Sequence, residues 1–300
     1  MKRILLFVLA LSIVLCFFGC SSSDNKEGSS LLSKPNVSSN AEEKEDFDFE
    51  EKTVIDNEKC LIKITELKKK DDLEYELRVF CENRTKNKKL MFSLDALSVN
   101  GLQLVPLFAK EVAAGKTAKD TISIYDDELE DNEIPEITDI ELSFRVYDSD
   151  DLMAKDIAKE TVNIYPYGEN KATKFSREDD DDDFLLVDNE NIKAVLIDYE
   201  EDDIWGYVAE LYLVNKTDRE LMFSAEDVSI NGVMADPLFA KSVKPYKSAF
   251  ASITWSEDSL KEIDINDFDE INDIELSLRV YDYENILDED IFKKKFNLKP

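Results

Sequence analysis

The residues able to do chemistry in this chain are carboxylates, lysines, tyrosines and a few cysteines, because its 300 residues contain no histidine. Without imidazole the usual proton carrier near neutral pH is missing. The Ser-His-Asp and Cys-His nucleophile arrangements and the commonest zinc ligand go with it. Asp and Glu number 68 against 37 Lys and Arg, which gives a formal charge of −31. A field of that sign repels phosphates, so nucleic acid is excluded as a partner on general electrostatics. It fits a solvated anionic surface, a cationic partner or bound cations.

Carboxylates cluster at Asp126-Asp127-Glu128, at Asp148 with Asp150-Asp151, at Glu200-Glu201-Asp202-Asp203 and over residues 264–273. Calcium takes several oxygen ligands and suits such loops, although none has the EF-hand spacing with its central Gly. Paired carboxylates also perform glycoside hydrolysis, but sequence alone does not place two of them together. The chain has no G-x-G-x-x-G, Walker-type loop, G-x-S-x-G or Cys/His metal spacing.

Cys60 and Cys81 fall on adjacent expected strands, and a turn centred between Lys70 and Asp71 sets them opposite each other. Either a disulfide or two buried thiols satisfies that position. The second half of the chain has Ile192 and Leu213 there, so apolar bulk suffices for folding.

That alignment rests on an internal repeat. Leu90-Met91-Phe92-Ser93 recurs as Leu221-Met222-Phe223-Ser224, Asn100-Gly101 as Asn231-Gly232, and Pro106-Leu107-Phe108-Ala109-Lys110 as Pro237-Leu238-Phe239-Ala240-Lys241. Residues 140–148 match 274–282 except that Phe144 becomes Leu278. Two copies of about 115 residues each follow, at 52–167 and 184–300. The retained Phe108, Lys110, Phe239 and Lys241 are candidate partner-binding residues, or a turn kept because its Phe closes one end of the core.

Apolar residues alternate with polar ones in both copies: Leu73, Tyr75, Leu77, Val79 and Cys81 share one face, as do Ile140, Leu142, Phe144 and Val146. Period two means half-buried strands, and Asn-Gly between apolar runs means a tight hairpin. About seven strands per copy predict an all-β fold of two tandem immunoglobulin-like β-sandwich domains. Arg145 and Arg279 lie on the polar faces with Glu141 and Glu275 as expected ion-pair partners. Residues 168–183 end in an acidic run, Glu178 to Asp183, and like charges predict an unfolded linker.

The chain opens with Met1-Lys2-Arg3, an apolar run from Ile4 to Phe18, then Gly19-Cys20. This is the layout of a secretory signal and is short for a membrane span of about 20 residues. Phe17-Phe18-Gly19-Cys20 resembles the cleavage site of bacterial lipoprotein signal peptides. The resemblance implies removal of residues 1–19 and a diacylglyceryl lipid on Cys20, with two acyl chains holding the protein to the membrane. Residues 20–51, rich in Ser, Asn, Glu and Lys, read as a disordered tether. The layout of both copies also resembles lipoproteins of Gram-positive, clostridial-type bacteria that carry repeated immunoglobulin-like domains with an Asn-Gly hairpin and a late Arg-Val-Tyr-Asp strand.

The expected function is therefore a non-catalytic, lipid-anchored cell-envelope protein, extracytoplasmic, whose sandwiches are binding or spacer modules for an envelope or extracellular protein or polymer. No cofactor is expected beyond the lipid. A calcium-stabilised adhesion module and a carboxylate-dependent envelope hydrolase are the alternatives.

Overall fold

Alternating apolar residues become strands because successive side chains of an extended backbone face opposite sides of a sheet. The computed structural model describes residues 49–300, apart from 72, 126–128, 131, 133, 135 and 203. Cys20, the signal-like segment and nearly all the tether lie outside the described residues, as does the cluster Asp126-Asp127-Glu128. The described chain is all-β, a sandwich fold of eighteen strands and one short helix, α1 (Glu257–Lys261).

In the first repeat the strands are β1 (Lys52–Asp56), β2 (Cys60–Lys69), β3 (Tyr75–Asn83), β4 (Leu90–Val99), β5 (Leu102–Leu104), β6 (Ala109–Val112), β7 (Thr117–Ile124), β8 (Ile140–Asp148) and β9 (Ala158–Ile164). One sheet runs β1-β2-β3-β7 and the facing one runs β5-β4-β8-β9, with β6 also on β4. That split of a β2-β3-β7 sheet from a β4-β8-β9 sheet is the arrangement an immunoglobulin-like sandwich requires. The second repeat repeats it. Its strands are β10 (Phe184–Asp188), β11 (Ile192–Asp202), β12 (Gly206–Asn215), β13 (Leu221–Ile230), β14 (Val233–Met234), β15 (Ala240–Val243), β16 (Ser248–Trp255), β17 (Ile274–Asp282) and β18 (Phe292–Leu298). Nine strands per copy exceed the expected seven because two short pieces, β1 and β6 in the first copy, lack a long alternating pattern.

Even the irregularities recur. Register shifts at Ile64/Glu66 in β2 and Leu196/Asp198 in β11 occupy matching places, as do those at Thr53/Ile55 in β1 and Leu185/Val187 in β10. The Asn-Gly turns place Asn100 at φ 50° and Gly101 at φ 81°, and Asn231 and Gly232 do likewise, which is the left-handed pair a two-residue hairpin turn needs.

The two repeats share a sheet. Strand β16 of the second pairs parallel with β5 of the first through Ser248 and Leu102, making one sheet in the order β10-β11-β12-β16-β5-β4-β8-β9. The described residues of both repeats accordingly belong to one compact unit. The segment between the repeats does not stay unfolded. The Phe175 backbone N–H donates to the Asn100 carbonyl at 2.7 Å, and its ring meets those of Tyr212 and Phe250 at 6.1 and 6.2 Å. The expectation of self-repulsion fails because two acids of the run have partners: Arg177 donates two bonds to Asp183, and Lys193 reaches Asp179. Burial of Asp183 opposes its ionisation, but Arg177, the Asp180 N–H and Lys193 together outweigh it and lower its pKa.

Candidate functional site

The two cysteines do not stand opposite each other as expected. The β2–β3 ladder closes further along, at Lys69 opposite Tyr75, so Cys60 faces Asn83 and Cys81 faces Ile62. Both are buried free thiols. Burial pushes both thiols up, that of Cys81 to about 12, with the nearby Asp120 carboxylate adding to it. A buried thiol held protonated is a poor nucleophile.

Asn83, opposite Cys60, is instead a polar anchor of the fold. Its Nδ2 donates to the carbonyls of Lys88 and Val112 at 2.8 Å each, and its Oδ1 accepts from the Thr85 backbone N–H and hydroxyl. Asn215 repeats this with the carbonyls of Arg219, Val243 and Lys244 and with Thr217. The sequence signal was present as Asn-x-Thr at matching places in both copies.

Of the retained turn residues, Phe108 is buried and meets Phe144 edge-on at 6.3 Å, so it belongs to the core. Phe239 is half-buried against the second core. Lys110 pairs with Asp120 at 2.9 Å, and Lys241 lies opposite Phe223 on β15. These four residues are not gathered into one site. Arg145 and Arg279 do not pair with Glu141 and Glu275, since residues four apart on a strand stand roughly 13 Å apart. Each instead donates to an acid returning on the next loop, Asp156 and Asp290, at 2.7 Å, and each lies over a tyrosine two residues on.

Those arginines fix one side of a loop that both copies present. Between β8 and β9 the buried Asp148 accepts from Lys88 Nζ at 2.7 Å and from the Asp150 N–H, and Met153 N–H donates to Asp151. The Lys88 bond holds the Asp148 pKa down. The β17–β18 loop copies the device with Arg219 on Asp282 and the Glu284 and Asn285 N–H groups on the same carboxylate. At the tips, Leu152-Met153 and Ile286-Leu287 are bare to solvent, with Met153 95% and Leu287 97% exposed. Large apolar residues held out by a repeated, hydrogen-bonded loop are a candidate contact surface.

A cleft of about 750 Å³ opens where the repeats meet. Lys244 bridges it, reaching Asp95 of the first repeat at 3.2 Å and Glu220 of the second at 2.8 Å, and Lys247 reaches Glu141 at 3.0 Å. Burial of Asp95 opposes ionisation, but Lys244 and Lys159 outweigh it and lower its pKa. Its carboxylate is therefore an ion-pair partner and not a proton donor.

No protein-family model matches the chain, and neither does any curated protein. Among solved structures it is similar to red sea bream transglutaminase (12% identity, TM-score 0.22), covering 76% of this chain and 29% of that one. It is similar to the YadV chaperone (12%, 0.22), covering 74% and 92%, and to the exo-chitosanase CsxA of Amycolatopsis orientalis (10%, 0.24), covering 74% and 25%. The chain thus spans about three tenths of the transglutaminase and a quarter of the chitosanase. Likenesses of this size carry no functional argument.

Among the described residues no group of three or more Asp, Glu or Cys side chains converges as a metal site. No helix among them is long and apolar enough to cross a membrane. One carboxyl stands apart. Glu210, on the outer face of β12, is raised to about 7 by burial, with Glu200 and Asp198 adding to the effect against a hydrogen bond from Ser252. Its counterpart Arg78 pairs with Glu66 in the open, so the two repeats have diverged at this place.

Proposed function

We propose that this chain is a non-catalytic, lipid-anchored envelope protein whose two sandwiches are binding modules held at a fixed spacing. The observation that carries the reading is the pair of anchored loops: the same acids and arginines hold Leu152-Met153 and Ile286-Leu287 in the open in both copies. A pure spacer needs no exposed apolar tips, and their cost in solubility is offset by the acidic surface around them. The shared sheet between β5 and β16 favours fixed spacing over free swinging. The absence of histidine in the sequence and the pairing of Asp95, Glu220 and Glu141 with lysines favour a non-catalytic role. The anchor is read from the Phe17-to-Cys20 resemblance.

Intact mass and detergent partitioning of the protein made in a bacterium, wild type against Cys20→Ala, test the anchor. A chain beginning at Cys20 and carrying acyl groups, lost in the variant, is expected; an unmodified soluble chain removes it. For binding, co-sedimentation with purified envelope fractions is compared before and after combined substitution of Leu152, Met153, Ile286 and Leu287 to Ser. Loss of retention with an unchanged melting curve is expected, and equal retention removes the loops from the reading.

A further inference from the structure

The contact inside the chain joins unlike surfaces, the β5 edge of one copy to the β16 edge of the other. Because the repeats are copies, each also carries the surface it leaves unused. Strand β14 of the second repeat is the counterpart of β5, and β7 of the first is the counterpart of β16. A contact between unlike surfaces leaves such a pair at its two ends, where a second copy can continue it.

The β14 edge looks like β5 with its cover removed. Leu102 is 0% exposed beneath β16, whereas its counterpart Val233 is 48% exposed, and Met234, in the place of Gln103, is 62% exposed. The Asn100-Gly101 turn is buried by the junction and Asn231-Gly232 is open. Edge strands are ordinarily blunted by charge or proline, and this one carries two apolar side chains in succession.

On β7 the matching positions are likewise bare. Thr117 stands for Ser248, whose N–H donates to the Gly101 carbonyl, and Lys116 stands for Lys247. Glu275 is the counterpart of Glu141, so the residues of the Glu141–Lys247 pair recur at the outer ends, with Glu275 already bonded to Lys295 at 2.7 Å and Lys116 able to join it as a second cation. Two other positions have changed together. Inside the chain Gln103 bonds the backbone of Ser242 and Lys244, and the Lys244 side chain is ion-paired. At the outer ends Met234 replaces Gln103 and the exposed Ala113 replaces Lys244, so a polar contact is exchanged for an apolar one. The apolar patch of Val195, Tyr212 and Phe250 becomes Lys63, Phe80 and Lys119 in the first repeat, which makes the outer contact smaller than the inner one.

We propose that the β14 edge of the second repeat docks on the β7 edge of the first repeat of a second copy of this chain, giving head-to-tail assembly. The contact sets Met234 against Ala113 and Glu275 near Lys116.

Both reporter positions are exposed, so a cysteine introduced at either is tolerated. Full chains carrying Cys16→Ala, Cys20→Ala and either Ala113→Cys or Met234→Cys are mixed under mild oxidation, with Cys60 and Cys81 buried. The cross-linked product is compared with that of Ala113→Cys and Met153→Cys, a control that is more open still. The proposal expects at least about tenfold more product from Ala113 with Met234, a ladder from the double variant, and loss of both when Val233→Lys is added. A yield no greater than the control, or a ladder that survives Val233→Lys, overturns it.

Discussion

Gln103 of the first repeat holds Lys244 of the second by its backbone: the Gln103 side-chain oxygen accepts the Lys244 N–H at 2.9 Å, and its Nε2 donates to the Ser242 carbonyl at 2.9 Å. A single side chain thus serves as the missing strand partner of a neighbouring domain, beside a ladder that has one bridge, Ser248 with Leu102. Gln103→Ala leaves a half-buried donor and acceptor without partners, at a cost of about 1–3 kcal/mol. Urea unfolding should lose cooperativity between the repeats, and small-angle scattering should broaden as they move apart. An unchanged unfolding curve and scattering profile would assign the rigidity of the junction to Phe175 and the lysines alone.

The buried Asn83 and Asn215 are expected to be the most sensitive polar positions. Each spends its donors on loop carbonyls and its acceptor on the threonine two residues on, so truncation strands several buried groups together. Asn83→Ala and Asn215→Ala should each cost about 2–4 kcal/mol. Aspartate should do no better, because it cannot donate. Chemical denaturation midpoints of the variants measure this, and losses below about 1 kcal/mol would mean that water replaces the side chain.

Much of the fold was legible and its junction was not, for a physical reason. Period-two alternation reports the face buried within one sandwich, the face that on β12 carries Leu211 and Leu213. Tyr212, on the other face of the same strand, is buried only because Phe175 and Phe250 cover it. The clue lay in comparing copies: Val195, Tyr212 and Phe250 stand where the first repeat has Lys63, Phe80 and Lys119. The charge run predicts an unfolded linker only when taken by itself, and Arg177 and Lys193 supply counter-charges to it. The exposed loop tips were present in the sequence as Leu152-Met153 and Ile286-Leu287, but different letters at matching places hid a shared property.

The cysteines should be silent in the folded protein. With Cys60 and Cys81 buried as thiols and Cys81 held near 12, thiol reagents at pH 8 should modify neither until the chain is unfolded. Intact mass after alkylation in denaturant, without reductant, should then show both modified. A mass lower by two hydrogens with no alkylation at these positions would instead mean that the strands shift to close a disulfide.

Glu210 should set the pH dependence of stability near neutrality, where a chain without histidine has few other titrating groups. Its carboxyl is raised to about 7 from an ordinary value of 4.5, chiefly by burial and then by Glu200 and Asp198, while the Ser252 hydroxyl at 2.9 Å works the other way. The folded chain therefore holds a proton that the unfolded chain has released between these two values. The sign follows: this group's contribution is fully present below about 4.5 and is lost as pH rises through about 7. Glu210→Gln keeps an oxygen to accept from Ser252 and never ionises. The variant should match the wild type near pH 4 and exceed it near pH 8 by on the order of 2 kcal/mol. Urea midpoints for both proteins from pH 4 to pH 8 decide the matter. Parallel curves would mean that Glu210 ionises in the folded state without cost, with the outer face of β12 open to water.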